Sequence, residues 1–285
     1  MTTLVLLGSF GVAFLLSLGS ASLLDPLLPF PFPRILSRCL LVFGLIASYL
    51  FRKRFQKKSF RSLGLEKTED SLPLLIKGIA FALLSLLVLT GVTFLCKAAI
   101  FEYHPLKPKK LFYYAVGAIL TGFLEEIFFR GILLQSLLED VSKPMGIFLS
   151  NLVYSLLHFV IPLLLHKPAD LSLFYSESVG LFLFGILMAY AYFRTHSLYL
   201  SIGLHGGFVF FLKMDNVFVN RLNVSPPWLF GEEKIIGGIV TWLLFLVAFP
   251  WVRWVGRTYL PMQNCEKIRL SKSSVNTSPT ISPKA

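Results

Sequence analysis

Polar residues interrupt this chain at long intervals. Between the breaks lie apolar runs of the length that crosses a bilayer, roughly 20 residues for about 30 Å of hydrocarbon. Eight such runs are expected, at about 2–24, 35–51, 73–101, 111–138, 144–166, 178–195, 197–214 and 235–256. The second is short, and the third is long enough to tilt. The breaks carry turn formers such as Asp25-Pro26 and Pro226-Pro227 and leave no room for a separate soluble domain. The pattern therefore predicts an all-α, polytopic membrane bundle of about eight transmembrane helices. Residues 1–256 form a single transmembrane domain in this reading. The first run has no basic residue before it, so it is expected to be a retained helix despite the small residues of GSAS.

Composition agrees. Of the 285 residues 55% are hydrophobic and only 15% charged, with a mean hydropathy of +0.71; a soluble domain carries more charge. Beyond about Pro261 the chain turns to Ser, Thr, Pro and Lys (SKSSVNTSPTISPKA). Too little apolar surface remains there to offset ordering entropy, so 257–285 is expected to be a basic, disordered tail.

The net charge of +12 would suggest nucleic acid in a soluble protein, but here the placement of the charges points to topology, and no nucleic-acid partner is expected. The basic loop RKRFQKKSFR (52–61) belongs in the cytoplasm by the positive-inside rule, which puts both termini there too. Lys107, Lys109 and Lys110 are the main exceptions to that bias. Membrane lipid accounts for most of the remaining basic residues as a partner. Cys39, Cys96 and Cys265 are scattered without ligand spacing, so neither a disulfide framework nor a cysteine metal site is expected.

Within the fourth run, TGFLEEIFFRGILLQSL (121–137), stand two adjacent glutamates and an arginine. Each costs roughly 2.5 to 3.5 kcal/mol at a helix centre. Glu126 and Arg130 are four apart, acid first, the favourable order for a helical ion pair. Glu125 is turned about 100° away and needs a partner on another helix. His158 lies at a similar depth, roughly 21 Å into the fifth run, and His205 sits about 12 Å into the seventh, within a helical turn or two of the same level. Gly203, Gly206 and Gly207 beside His205 let another backbone approach closely. Asn151 and Ser155 share a face with His158 and serve either its surroundings or ordinary interhelical bonding. His104, His166 and His196 fall at run edges, where water is available, and carry no site.

One free carboxylate and two imidazoles suit amide hydrolysis, in which Glu125 takes a proton from water while one imidazole orients it and the other donates to the oxyanion. The same Glu125, His158 and His205 could instead hold zinc with a position open for water. Intramembrane Glu and His also build proton relays, so a proton-coupled transporter is a further alternative; the inverted repeat or broken helix pair usual in transporters is not seen.

EEIFFR (125–130) matches an EExxxR motif, YSLLH (154–158) resembles FxxxH with Tyr for Phe, and His205 in HSLYLSIGLHGGF resembles the head of HxxxN. In this order the three motifs resemble the CAAX protease and bacteriocin-processing (CPBP, or Abi) family of intramembrane endopeptidases, which includes the type II CAAX prenyl endopeptidases. The resemblance covers about 111–215. It implies that Glu125 and His158 activate water, that Glu126 and Arg130 organise the site, and that His205 contributes to the oxyanion hole. It also implies a bundle of about eight transmembrane helices around an intramembrane polar cavity that opens to the cytoplasm, and a peptide or membrane-protein substrate. Such enzymes are classed as metalloproteases, although the best-understood member points to a metal-free site. Where the family has Asn four residues after the last His, this chain has Val209, which donates no hydrogen bond. The expected function is an intramembrane endopeptidase. The alternative within the same fold is a catalytically weak or inactive scaffold or immunity protein.

Overall fold

The computed structural model describes residues 2–28, 31–56, 60–164, 171–222, 227–231 and 235–275. His166, Pro226, part of the basic 52–61 loop and the last stretch of the tail, 276–285, lie outside these residues. Every expected apolar run is built on helix among the described residues: α1 (Thr2–Leu24), α2 (Phe32–Phe51), α3 (Ser71–Leu95), α4 (Pro108–Glu126), α5 (Leu134–Asp140), α6 (Lys143–Leu164), α7 (Leu171–Thr195), α8 (Tyr199–Phe218), the short α9 (Pro227–Phe230) and α10 (Ile239–Val275). Between α4 and α5 the helix does not stop but widens into a π-helical segment, Ile127–Leu133, so the fourth run is continuous from 108 to 140.

Two boundaries differ from expectation. The third run ends as helix at Leu95, because Lys97 takes a left-handed conformation (φ 54°) and turns the chain. Ala99–Phe101 (β1) then pairs antiparallel with Val219–Arg221 (β2), joining the ends of α3 and α8. At the other end of the chain, α10 continues as helix to Val275, past the composition shift near Pro261.

Among the described residues five segments are long and apolar enough to cross a membrane: Leu4–Leu27, Ile35–Phe55, Ser71–Leu95, Tyr175–Thr195 and Ile239–Tyr259. This is an integral membrane protein. The other three expected spans are helices as well, the 108–140 segment, α6 and α8, and they bear the charged and imidazole groups that the apolar runs lack. Leucines exposed on α1, α2 and α3, such as Leu15, Leu50 and Leu87, face outward as lipid-contacting surface must.

α8 is the central helix, with Ser201 through Phe208 all buried. Lipid supplies no hydrophobic drive for helices to associate, so close packing depends on small residues that let backbones meet. α8 uses glycine for this on two sides. A Cβ on Gly78 of α3 would lie 2.6 Å from the Leu200 carbonyl oxygen of α8, and one on Gly122 of α4 would lie 2.7 Å from the Gly206 backbone nitrogen. Phe184, Phe208 and Phe245 fill the adjoining core, with ring centroids 5.5 to 5.7 Å apart, and lock α7 and α10 to α8.

These contacts predict that Gly122→Ala lowers the thermal unfolding temperature in detergent by the equivalent of about 1–3 kcal/mol, since the clash is with backbone and cannot be relieved by a rotamer. Gly91→Ala, where nothing lies within 4 Å of the added methyl, leaves it unchanged or slightly raised.

Candidate active site

The chemistry begins where α4 gives way to the π-helical segment. Such segments are rare and concentrate at functional sites; this one carries Arg130 into the protein interior. Glu126 and Arg130 form the expected i, i+4 pair, Arg130 Nη1 donating to Glu126 Oε1 over 2.8 Å, with the side chains 0% and 1% exposed. A buried pair survives its desolvation only when the remaining donors are also met. Arg130 Nη2 donates to the Gly185 carbonyl oxygen (3.0 Å) and to Asn151 Oδ1 (3.4 Å), and the guanidinium lies 4.8 Å from the centroid of the Tyr154 ring. Gly185 is glycine for a local reason: a Cβ there would run into the Asn151 side chain and come 3.3 Å from Arg130 Nη2. Asn151 therefore serves the site, and its amide donates to the Ile147 carbonyl oxygen to hold that orientation. Ser155 does the other job open to it, tying α6 to α7 through the Ser178 carbonyl oxygen.

Glu126 Oε1 accepts a second bond. His205 Nδ1 donates to it over 2.7 Å from α8, and His205 is itself only 3% exposed. Since an arginine-paired carboxylate can only accept, the His205 proton is on Nδ1, and Nε2 is the atom left free. His158 is oriented in the same way. Its Nδ1 donates to the Tyr154 carbonyl oxygen over 2.8 Å, and Tyr154 also packs edge-on against its ring.

Both free Nε2 atoms face one oxygen. Glu125 Oε2 lies 3.6 Å from His205 Nε2 and 3.9 Å from His158 Nε2. These separations are too long for direct hydrogen bonds, and Glu125 Oε2 is a buried atom with no hydrogen-bond partner among the described residues. The carboxylate that the sequence leaves unpartnered on α4 thus meets both imidazoles, from α6 and α8, without bonding to either. His104 and His196 take no part: His104 is exposed beside Glu102, and His196 follows α7 in a left-handed turn (φ 50°).

A cavity of about 370 Å³ reaches this cluster from between α1 and α2. Its walls are largely apolar, with Phe10 and Phe14 of α1, Leu40 of α2 and Phe128, while Glu125 and His158 supply polar groups. The aromatic walls from α1 carried no sequence signal, because a Phe that lines a cavity and one that faces lipid look alike in an apolar run. Gly185 escaped for a similar reason.

Glu125, His158 and His205 are the residues that would ligate zinc. Tetrahedral zinc with bonds of about 2.0–2.2 Å draws its ligand atoms to within roughly 3.4 Å of one another. The two separations here are wider, and among the described residues no group of three His, Cys, Asp or Glu side chains is arranged to hold a metal ion. The donor set does not fit the metal as placed; a water donating one proton to Glu125 Oε2 and the other to one imidazole Nε2 fits the spacing. Val209, one turn beyond His205, is half-buried and brings no polar group to the site.

Residues 107–211 match the family model described as type II CAAX prenyl endopeptidase Rce1-like. No curated protein matches the chain. The matched stretch begins one residue before α4 and ends within α8, so it holds Glu125, Glu126, Arg130, His158 and His205 together with the helices that bring them into register. Through residues 107–211 the chain is similar to the type II CAAX prenyl endopeptidase family.

Proposed function

We propose that this protein is an intramembrane endopeptidase that hydrolyses peptide bonds with a glutamate-activated water. The observation that carries the reading is the buried, unbonded Glu125 Oε2 facing the free Nε2 atoms of both His158 and His205. An unpaired carboxylate inside a membrane is costly unless it acts. A water held by Glu125 Oε2 and His158 Nε2 gives its proton to the carboxylate, and the hydroxide oxygen attacks the scissile carbonyl carbon. His158 Nε2, a lone-pair acceptor because Nδ1 is committed to Tyr154, orients that water. His205 Nε2, once protonated, donates to the oxyanion, and Glu126 supplies the counter-charge across the Nδ1 bond. Glu125 then returns its proton to the departing amine as the C–N bond breaks. Arg130 balances Glu126, so that the His205 anchor does not add a second uncompensated carboxylate. The apolar cavity suits a peptide or membrane-protein substrate with a hydrophobic segment near the cut. The basic 52–61 loop and both termini face the cytoplasm in this arrangement.

Val209 favours a second reading, a scaffold that keeps the fold but has lost turnover, since removal of one oxyanion donor costs about 10² to 10³ in rate in other enzymes.

Three outcomes follow. In proteoliposomes presented with candidate membrane peptides, Glu125→Gln lowers kcat/KM by roughly 10² to 10⁴, while its unfolding temperature does not fall, because no bond of Glu125 Oε2 is lost; equal cleavage by the two proteins would remove Glu125 from the chemistry. Cleavage survives a zinc chelator, and abolition restored by added zinc would reassign the three side chains to a metal. Val209→Asn raises turnover by up to about 10²-fold if the missing donor limits the rate; no product from either chain identifies the scaffold.

A further inference from the structure

A second cavity adjoins the site cavity at α1. It holds about 720 Å³ between α1 and α2, and Ala13 of α1 lines both. Its walls are apolar, with Val12 and Leu16 from α1 and Phe43, Ile46 and Leu50 from α2. Val12, Leu16, Ile46 and Leu50 are exposed, so this cavity is a groove open to the outside of the bundle, where the lipid lies. From Phe43 to Phe51 it follows α2 for eight residues, about 12 Å. That is less than half of the roughly 30 Å of hydrocarbon, so the groove is one leaflet deep.

The end of the groove beyond Phe51 is not apolar. Lys53 and Arg54 line it, and both belong to a π-helical turn, Arg52–Gln56, that closes α2. An α-helix would turn such neighbours about 100° apart. A π turn holds more residues and rotates them less, which is how Phe51, Lys53, Arg54 and Phe55 all come to line one groove. Neither cation has a carboxylate partner among the described residues. Each is set against a ring instead, Lys53 Nζ 5.9 Å from the Tyr49 centroid and Arg54 Cζ 6.0 Å from that of Phe55.

Membrane topology asks for basic residues at the end of a span but asks nothing of their direction. Two cations without counter-charge that close an apolar groove one leaflet deep have the complement of an anionic amphiphile. We infer that this groove is a binding site for an anionic phospholipid, with the headgroup phosphate on Lys53 and Arg54 and one acyl chain laid between α1 and α2. The inference is independent of the endopeptidase reading, because none of Glu125, Glu126, Arg130, His158 and His205 lines the groove. The acyl chain gains the same from the groove whatever headgroup it carries, so the two cations set the selectivity.

The test offers the full-length protein, in a neutral detergent, equal amounts of phosphatidylglycerol and phosphatidylcholine with identical acyl chains and counts bound lipid by native mass spectrometry. The first phosphatidylglycerol is expected to be retained at least about tenfold over phosphatidylcholine, within what two basic groups near the surface supply. The double variant Lys53→Gln, Arg54→Gln should bring the two lipids to about equal retention while leaving phosphatidylcholine binding unchanged, which also shows that it is folded. Lys109→Gln with Lys110→Gln removes the same charge from the first turn of α4, which follows the opposite end of α3, and should keep the preference. Ala47→Phe, which fills the groove, should lower phosphatidylglycerol retention, and an excess of glycerol phosphate should not displace the lipid. Equal retention of the two lipids by the wild type would mean annular lipid only and overturns the inference. So does a preference that survives the loss of Lys53 and Arg54, or one lost equally in the α4 variant. Displacement by glycerol phosphate assigns the cations to a free anion, and a dimer that carries no lipid assigns the groove to a second copy of the chain; either outcome removes the phospholipid.

Discussion

One carboxylate oxygen holds this site together. Glu126 Oε1 accepts from Arg130 within its own helical segment and from His205 on α8, and Arg130 passes the connection on to Asn151 of α6 and the Gly185 carbonyl of α7. Four helices are thereby referenced to a single buried atom. In a low-dielectric interior such a network either satisfies its members or destabilises the fold, and nearly every donor here has its acceptor. Two carboxylate oxygens have no hydrogen-bond partner among the described residues, Glu126 Oε2 and Glu125 Oε2, the second being the atom proposed to do chemistry.

The arrangement gives two adjacent carboxylates different surroundings. Glu126 and Glu125 differ by about 100° of helix rotation, and that rotation alone sends one carboxylate into the ion-pair network and the other to the edge of the cavity, 19% exposed. Each imidazole is divided in the same way, with Nδ1 committed to the protein and Nε2 presented to Glu125. Orientation by a partner on the far ring nitrogen is how proteins usually fix a functional histidine. Here a backbone carbonyl does it for His158 and a carboxylate for His205, so only His205 has a counter-ion bonded to its Nδ1.

Close approach of backbones is what makes the network geometrically feasible. A 2.7 Å Nδ1–Oε1 bond between α8 and α4 requires the helix axes to be nearer than most side chains allow, and the Gly122 and Gly206 contact supplies that proximity one turn away. The β1 and β2 pairing fixes α8 to the end of α3, and the buried Asp215, bonded by Thr90 Oγ1 at 2.7 Å and paired with Arg221, secures the same end of α8. These features hold the central helix against sliding, to which a site built from three helices would be sensitive.

By itself the sequence determined the class and the cast. Apolar runs of bilayer length leave no solution but helices, and the cost of charge in hydrocarbon singles out Glu125, Glu126, Arg130, His158 and His205 wherever they fold. The ion pair too was legible, because spacing of four is a property of one helix. The tertiary structure decided everything that depends on rotation and tilt between helices: that His205 bonds Glu126 while only facing Glu125, that Asn151 turns to Arg130 while Ser155 binds α7, and that a π-helical segment carries Arg130. Periodicity fixes depth to within a turn or two, but a hydrogen bond is decided over less than an ångström. That precision comes from glycine contacts between distant segments, whose partners no single run of residues can specify.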